Sequence, residues 1–245
     1  EGINKISTKT FNRDQTDLID TFWCEKCWLQ NQPPKYDLWN VFGQMNRMRF
    51  LSTNLNVTEI PSNAINGHKE SQLRMITIYS SIQNLTIKSH AFRSLKKLEY
   101  ILFKEINFTK FENQSLVFGE NLDGKNMNLV FLKSNLSGET FEPGTFDGVK
   151  KPIAIIFTND MFSTPDKSNI KYIPESAFKR LLNNPQSTIS SSLDCFDCRN
   201  HWLIKDNKEH QFIEPLCNEY INDNTKKRMF DQDIKTYLRA KCYQF

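Results

Sequence analysis

The chain has 245 residues, of which 38% are apolar and 12% aromatic, which is enough to bury a substantial core and argues against disorder throughout. Its 32 basic and 28 acidic residues leave a net charge of +4, too small and too dispersed to indicate a nucleic-acid partner. No apolar run approaches the roughly 18 residues that cross a bilayer, so no transmembrane segment is predicted.

Residues 1–47 are predicted to form an N-terminal capping segment. Its two cysteines, Cys24 and Cys27, are expected to bridge each other. A redox role for this C-x-x-C pair would need a helix N-terminus that lowers a thiol pKa, and the repeats that follow do not offer that setting. Five aromatic residues are expected to cover the open apolar end of the first repeat: Phe22, Trp23, Trp28, Tyr36 and Trp39.

An internal repeat organises residues 48–182. The segment LRMITIYSSIQNLTIKSHAFRSL at 73–95 has a near-copy, MNLVFLKSNLSGETFEPGTFDGV, at 127–149. The same apolar spacing recurs from residues 48, 98 and 152, which indicates about five units, each roughly 25 residues long. Ordinary α/β structure with strands that look alike by chance is the alternative, but it would not also repeat an Ala-Phe-x-x-Leu element at a matching distance.

The elements SHAFRSL, PGTFDGV and IPESAFKRL resemble the convex half of extracellular leucine-rich repeats, whose common form is I-x-x-x-A-F-x-x-L. This resemblance implies an α/β solenoid, in which short parallel strands form the concave face of an arc. The convex side would then consist of irregular, 3-10 or short helical segments. The tail, LDCFDCRNHWLI followed by two more cysteines, is similar to small secreted arthropod repeat proteins, including those related to the non-catalytic subunit of a decapod shrimp luciferase.

Residues 183–245 therefore resemble the cysteine-rich C-terminal cap of this superfamily, with C-x-x-C in place of the usual C-x-C. Caps of the family pair the first cysteine with the third and the second with the fourth, which implies the disulfides Cys195–Cys217 and Cys198–Cys242. A zinc site formed by the same four thiolates is the alternative. Disulfides fit a secreted chain better, so an extracellular location is expected.

Side chains alternate along a strand, so the residues between core positions are expected to point toward the concave side. One interior row should contain Ile76, Ile101, Val130 and Ile155. The concave positions predict an exposed apolar patch with a basic rim, our candidate binding site: Phe50, Met75, Tyr79, Tyr100, Leu102, Lys104, Leu129, Phe131, Lys133 and Ile156. Substitution of Phe131 by Asp should therefore weaken the binding of a partner to this patch and leave the monomer folded.

Three interpretations of this patch are open. The first is recognition of a protein or other extracellular ligand by aromatic and aliphatic anchors. The second is a subunit interface, either in a homodimer or between this chain, as an accessory subunit, and a catalytic partner. The third is that an N-terminal or cap segment folds over the sheet and buries the patch within the chain.

Five Asn-x-Ser/Thr sequons are the potential glycosylation sites, at Asn56, Asn84, Asn107, Asn113 and Asn135. One turn position in each unit is expected to hold a side chain that satisfies the backbone between units, and it reads Asn56, Ser81, Ile106, Asn135 and Asp160. Asn56 and Asn135 are therefore predicted to be buried. Asn84, Asn107 and Asn113 are predicted to lie on the convex side and to carry glycans.

The sequence contains no recognisable catalytic motif. The four histidines lie in separate regions, and no H-E-x-x-H, G-x-S-x-G or phosphate-binding glycine motif is present. No metal or cofactor is expected. The sequence thus predicts a secreted, non-enzymatic binding protein that recognises a protein or another extracellular ligand.

Overall fold

A computed structural model of the chain describes residues 5, 13–16, 18–32, 37–65, 72–81, 84–119, 126–160, 170–213, 215–218 and 227–242. Most of the strands in this part of the chain are parallel, and a few short helices accompany them. The α/β class predicted from the sequence is confirmed. Among the described residues, the larger of two sheets is open, with an edge strand at each end.

The described residues form eleven strands, labelled in chain order: β1 Thr21–Gln30, β2 Phe50–Asn56, β3 Glu59–Ile60, β4 Met75–Ser81, β5 Leu85–Ile87, β6 Tyr100–Lys104, β7 Phe108–Phe111, β8 Met127–Leu132, β9 Ile153–Thr158, β10 Thr188–Ser190 and β11 Phe212–Ile213. The larger sheet has the order β1-β2-β4-β6-β8-β9-β10-β11, and the smaller sheet has the order β3-β5-β7. In three successive units the chain passes from a strand of the larger sheet to a strand of the smaller one.

Short helices lie before, between or after these strands: α1 Arg13–Thr16, α2 Leu38–Gln44, α3 Glu175–Phe178, α4 His201–Lys205 and α5 Gln232–Lys241. Four 3-10 segments accompany them: Gly138–Thr140, Leu181–Asn183, Cys198–Asn200 and Glu209–Gln211. Helix α2 begins after Asp37, whose carboxylate accepts the backbone N–H of Asn40 at 3.0 Å and so satisfies an otherwise unpaired donor. The buried face of α2, which includes Phe42, packs against Phe22 of β1.

One row of apolar residues runs across the interior face of the larger sheet: Phe22, Leu51, Ile76, Ile101, Leu129, Ile155, Ile189 and Phe212. The prediction that Val130 belongs to this row is wrong, because Leu129 takes the position and Val130 lies on the opposite face. Strand β8 reads M-N-L-V-F-L, with apolar residues on both faces, so hydrophobic periodicity does not fix its register. A shift of one residue turns every side chain to the other face.

Phenylalanine rings fill the interior between the two layers. Phe103, Phe131 and Phe157 stack along adjacent strands of the larger sheet, with ring centroids 5.7 and 5.1 Å apart. From the opposite side, Phe111 stacks on Phe141 at 4.8 Å, and both rings also meet Phe131 edge to face. Such contacts add to the stability that comes from burial of the rings alone.

A row of turn residues in the left-handed conformation connects successive units, and we call it the turn ladder: Asn63, His90, Gln114 and Gly144. The N–H of each residue donates to the carbonyl of the next, at 2.9–3.1 Å, and the last carbonyl in the row belongs to Ser176. The left-handed conformation is easiest for Gly and is tolerated by Asn and His. The backbone of His90 therefore has a structural role in the turn.

The two end segments also contribute strands to the larger sheet. Strand β1, from the N-terminal segment, pairs with β2, and the pairing shifts between Cys24 and Trp28, where the Cys24–Cys27 disulfide lies. The expected aromatic cover is only partly present, because Trp39 is buried while Trp23 remains 68% exposed and Trp28 37%. Tyr36 lies outside the described residues.

Strands β10 and β11 extend the other edge of the sheet from the C-terminal segment. The disulfides there are Cys195–Cys217 and Cys198–Cys242, the pairs that the resemblance implied. All six cysteines are disulfide-bonded, so the alternative zinc site, which needs thiolates, is not formed.

Candidate binding surface

The face of the larger sheet opposite the interior row is called the outer face. One row of it contains Phe50, Met75, Tyr100, Asn128 and Ala154. The adjacent row contains Trp23, Ser52, Thr77, Leu102, Val130, Ile156, Ser190 and Ile213. These side chains share a face because alternate residues of a strand point the same way.

An apolar cluster lies at the centre of the outer face, and we call it the outer cluster: Tyr100, Leu102, Val130, Leu132 and Ile156. Leu102, Val130 and Leu132 are almost completely buried, whereas Tyr100 and Ile156 are only partly buried. Burial raises the pKa of the Tyr100 hydroxyl, so this residue stays neutral at physiological pH. The centre of the face therefore exposes little apolar surface, and the accessible apolar surface is a rim around it.

The structure places six of the ten candidate residues on this part of the outer face: Phe50, Met75, Tyr100 and Ile156 are partly exposed, Leu102 is buried in the outer cluster, and Lys104 ends β6. The Lys104 ammonium lies 5.6 Å from the ring centroid of Tyr79, a seventh candidate residue. This cation–π contact holds the positive charge beside the apolar rim.

Leu129 and Phe131 do not belong to the outer face, which corrects the sequence-based assignment. Their side chains are 0% and 2% exposed and lie in the interior, because of the register of β8. Asn128 and Val130 occupy the positions assigned to them. Asn128 is the one polar residue in M-N-L-V-F-L, so its preference for the outer face was the one feature of the strand that indicated the correct register. Lys133 is exposed in the turn after β8 and has positive φ.

Two large apolar residues at the edges of the outer face were not assigned to it from the sequence. Trp23, on the edge strand β1, is 68% exposed, and Ile213, on the edge strand β11, is 52% exposed. Both stand in the same row as Leu102 and Val130. No sequence signal marked Ile213, because β11 lies in the C-terminal segment, outside the predicted repeat.

The turn that follows β8 corrects the predicted role of Asn135. Asn135 is exposed, and the backbone between the units is instead satisfied by Ser134. The Ser134 hydroxyl accepts the N–H of Ile106 at 3.3 Å and donates to the carbonyl of Phe103 at 3.1 Å. Asn56 is half-buried, and the glycan candidates Asn84, Asn107 and Asn113 are exposed.

An open groove of about 970 Å³ lies between the turn ladder and the C-terminal segment. Its charged side chains are ion-paired: Arg180 with Asp147 at 3.0 Å, and Lys179 with Glu175 at 2.7 Å. At its border Arg199 bonds Glu139 at 2.7 Å and lies 3.6 Å from the centre of the Tyr172 ring.

Hydrogen bonds lower the pKa of Glu139 in this border to about 2. The largest contribution comes from its own backbone N–H, and the Ser137, Tyr172 and Arg199 side chains add to it. The carboxylate is thus charged at any physiological pH. This arrangement ties the 3-10 segment Gly138–Thr140 to the C-terminal segment.

The described histidines do not converge on one site. His90 lies in the turn ladder, His201 begins α4, and His210 lies in a 3-10 segment, while His68 is outside the described residues. Within the described residues, no three His, Cys, Asp or Glu side chains are grouped so that they could hold a metal ion.

No protein-family model, curated protein or solved structure is significantly similar to this chain. In the part of the chain that the structure describes, no helix is both long enough and apolar enough to cross a membrane.

Proposed function

We propose that this chain is a secreted, non-enzymatic leucine-rich-repeat protein that binds a protein ligand on the outer face of its larger sheet. The three disulfides are compatible with an extracellular location. The repeated alternation between the larger and smaller sheets supports the assignment to leucine-rich repeats.

The observation that carries the binding proposal is the row Phe50, Met75 and Tyr100, partly exposed on three adjacent parallel strands. Both faces of a parallel sheet are normally covered, so an accessible apolar row on one face is a natural contact surface. Tyr100, the last residue of this row, is held in place because it packs against the buried members of the outer cluster. Rigid aromatic and aliphatic anchors of this kind dominate the energy of protein interfaces.

The test compares two tyrosines. The oxidised chain is used to capture a ligand from the extracellular fluid of the source organism, and the dissociation constant of the identified ligand is then measured. Tyr100→Ser should weaken binding at least about 10-fold, the effect of a moderate hot spot. Tyr237→Ser is the matched control, because Tyr237 lies on α5, outside the larger sheet, and is 38% exposed.

Equal affinities of the Tyr100→Ser variant and the unaltered chain would contradict the proposal. Sedimentation velocity tests the role of the same face in self-association. A dimer that dissociates on Tyr100→Ser would assign the outer face to a second copy of the chain.

A further inference from the structure

Three of the five sequons occupy the same place in successive units, and we call them the sequon row: Asn84, Asn107 and Asn135. Asn107 pairs directly with Asn135 across parallel segments, and Leu85 pairs with Phe108, so Asn84 is level with Asn107. The N–H of Leu85 donates to the Asn107 carbonyl at 2.8 Å, and the N–H of Phe108 donates to the Asn135 carbonyl at 3.0 Å. Backbone hydrogen bonds thus hold the three positions side by side.

The side chains of the row point away from the core. In each sequon the residue after the asparagine is buried, namely Leu85, Phe108 or Leu136. Since side chains alternate along extended backbone, the asparagine before each of them faces solvent, and all three are exposed. Among the described residues, these three side-chain amides have no hydrogen-bond partner. A group attached to the amide nitrogen would therefore displace no hydrogen bond within the part of the chain that the structure describes.

The sequon at Asn113 lies outside this row, and although Asn113 is also exposed, its side-chain amide is hydrogen-bonded. Its Nδ2 donates to the Pro143 carbonyl at 2.9 Å, and it lies so close to Gly144 that a Cβ there would be 2.3 Å away. Ser115, whose hydroxyl completes the sequon, is fully buried. A sugar on Asn113 would break the bond to Pro143 and separate two adjacent turns of the ladder.

We infer that Asn84, Asn107 and Asn135 are N-glycan attachment sites of the folded protein and that Asn113 is not. This inference rests on the secretion in the proposed function, because the secretory pathway supplies the donor, a lipid-linked oligosaccharide diphosphate. The asparagine amide nitrogen attacks C1 of the first sugar and loses a proton. The new bond joins nitrogen to C1, the C1–O bond to the diphosphate breaks, and the lipid diphosphate leaves.

Glycans on the row would lie just beyond the carboxyl ends of β4, β6 and β8, since each asparagine follows its strand by three residues. Neighbouring strands are about 4.8 Å apart, so the attachment points are closely spaced. A ligand would then reach the outer face from its other borders.

To test the inference, the full chain is expressed in a eukaryotic host behind a heterologous secretion signal, and the folded secreted monomer is isolated. Enzymatic removal of glycans in heavy-oxygen water marks each occupied asparagine as labelled aspartate, which peptide mass spectrometry locates. Label is expected at the three row positions and not at Asn113. Asn135→Gln should lower the intact mass by one glycan, and the matched variant Asn113→Gln should leave the number of glycans unchanged.

An unlabelled Asn135, or label at Asn113 in the folded monomer, would overturn the inference. Circular dichroism shows that both variants are folded before their masses are compared. The supplied signal makes entry into the secretory pathway independent of the natural chain. Ligand binding is measured on protein whose glycans have been removed, so a failure of the outer-face proposal is seen separately from a failure of the sequon row.

Discussion

Truncation of Phe131 tests the register of β8, on which both the interior and the outer face depend. The ring is 2% exposed and lies 5.1–6.3 Å from five other phenylalanine rings. Phe→Ala substitutions in a core cost about 3–5 kcal/mol, through lost burial and the cavity left behind. Because the lost ring also had several aromatic contacts, worth roughly 0.5–1.5 kcal/mol each beyond burial, we expect Phe131→Ala to fall in the upper half of the 3–5 kcal/mol range.

Urea unfolding of the oxidised protein measures this loss, and thermal unfolding should show a Tm roughly 8–20 °C lower, since 1 kcal/mol shifts the Tm of a chain this size by about 2–4 °C. Phe50→Ala is the matched control, because Phe50 is partly exposed on the outer face. It should cost about 1 kcal/mol. If Phe131→Ala costs no more than Phe50→Ala, Phe131 is not in the core, and the register described above is wrong.

Gly138→Ala should destabilise the protein by about 1–3 kcal/mol, because a Cβ there would lie 2.4 Å from the Tyr172 ring. In a Gly138→Ala/Tyr172→Ala double variant, a loss of stability equal to the sum of the two single losses would show that the two side chains do not clash. Burial lowers the pKa of Lys151 to about 8, while its Nζ donates to the Leu98 carbonyl at 2.7 Å. The unfolded chain keeps this proton up to about 10.5, so the unfolding free energy should rise between pH 8 and 10.5, by about 2 kcal/mol at pH 9.5. Urea midpoints at pH 7 and 9.5 measure the rise, and the same rise in Lys151→Met would refute this cause. Paired Cys→Ala variants should lose stability in the order of the loops closed, which span 44, 22 and 3 residues for Cys198–Cys242, Cys195–Cys217 and Cys24–Cys27. The chain-entropy relation gives about 4, about 3 and about 1.5 kcal/mol, and calorimetry showing another order would count against it.

Sequence periodicity predicted the parallel strands well wherever one face of a strand is more apolar than the other. Ile76 and Ile101 illustrate this, since both lie in the interior row at their expected places. In β8, Leu129 and Val130 are both apolar, so the pattern alone could not choose between two registers. The same ambiguity affected the candidate binding site, because Leu129 and Phe131, the two residues wrongly assigned to the outer face, both lie on β8.

Turn positions were harder to predict because their roles depend on neighbouring units. Ser134, rather than Asn135, satisfies the backbone at Ile106, and the sequence offers two polar residues side by side with no basis for choosing. Trp23 was assigned to the cover of an open end, yet β1 continues the sheet and turns this side chain outward. The disulfide pairs of the C-terminal segment agree with those that the resemblance implied, because cysteine pairing is a covalent constraint and does not depend on register.

The hydrogen bonds of the turn ladder all point the same way along the chain. Each residue from Asn63 to Gly144 donates its backbone N–H to the neighbour on its C-terminal side, and the last acceptor is Ser176. Removing units from the end of the chain would leave a backbone N–H of the turn ladder without its acceptor. Removing units from the beginning would leave only a backbone carbonyl without its donor. Proteins leave amide donors unpaired less often than carbonyls, which have two lone pairs. We therefore expect the fold to tolerate the loss of N-terminal units better than the loss of C-terminal units, because α3 supplies the carbonyl of Ser176 that accepts the last hydrogen bond of the ladder.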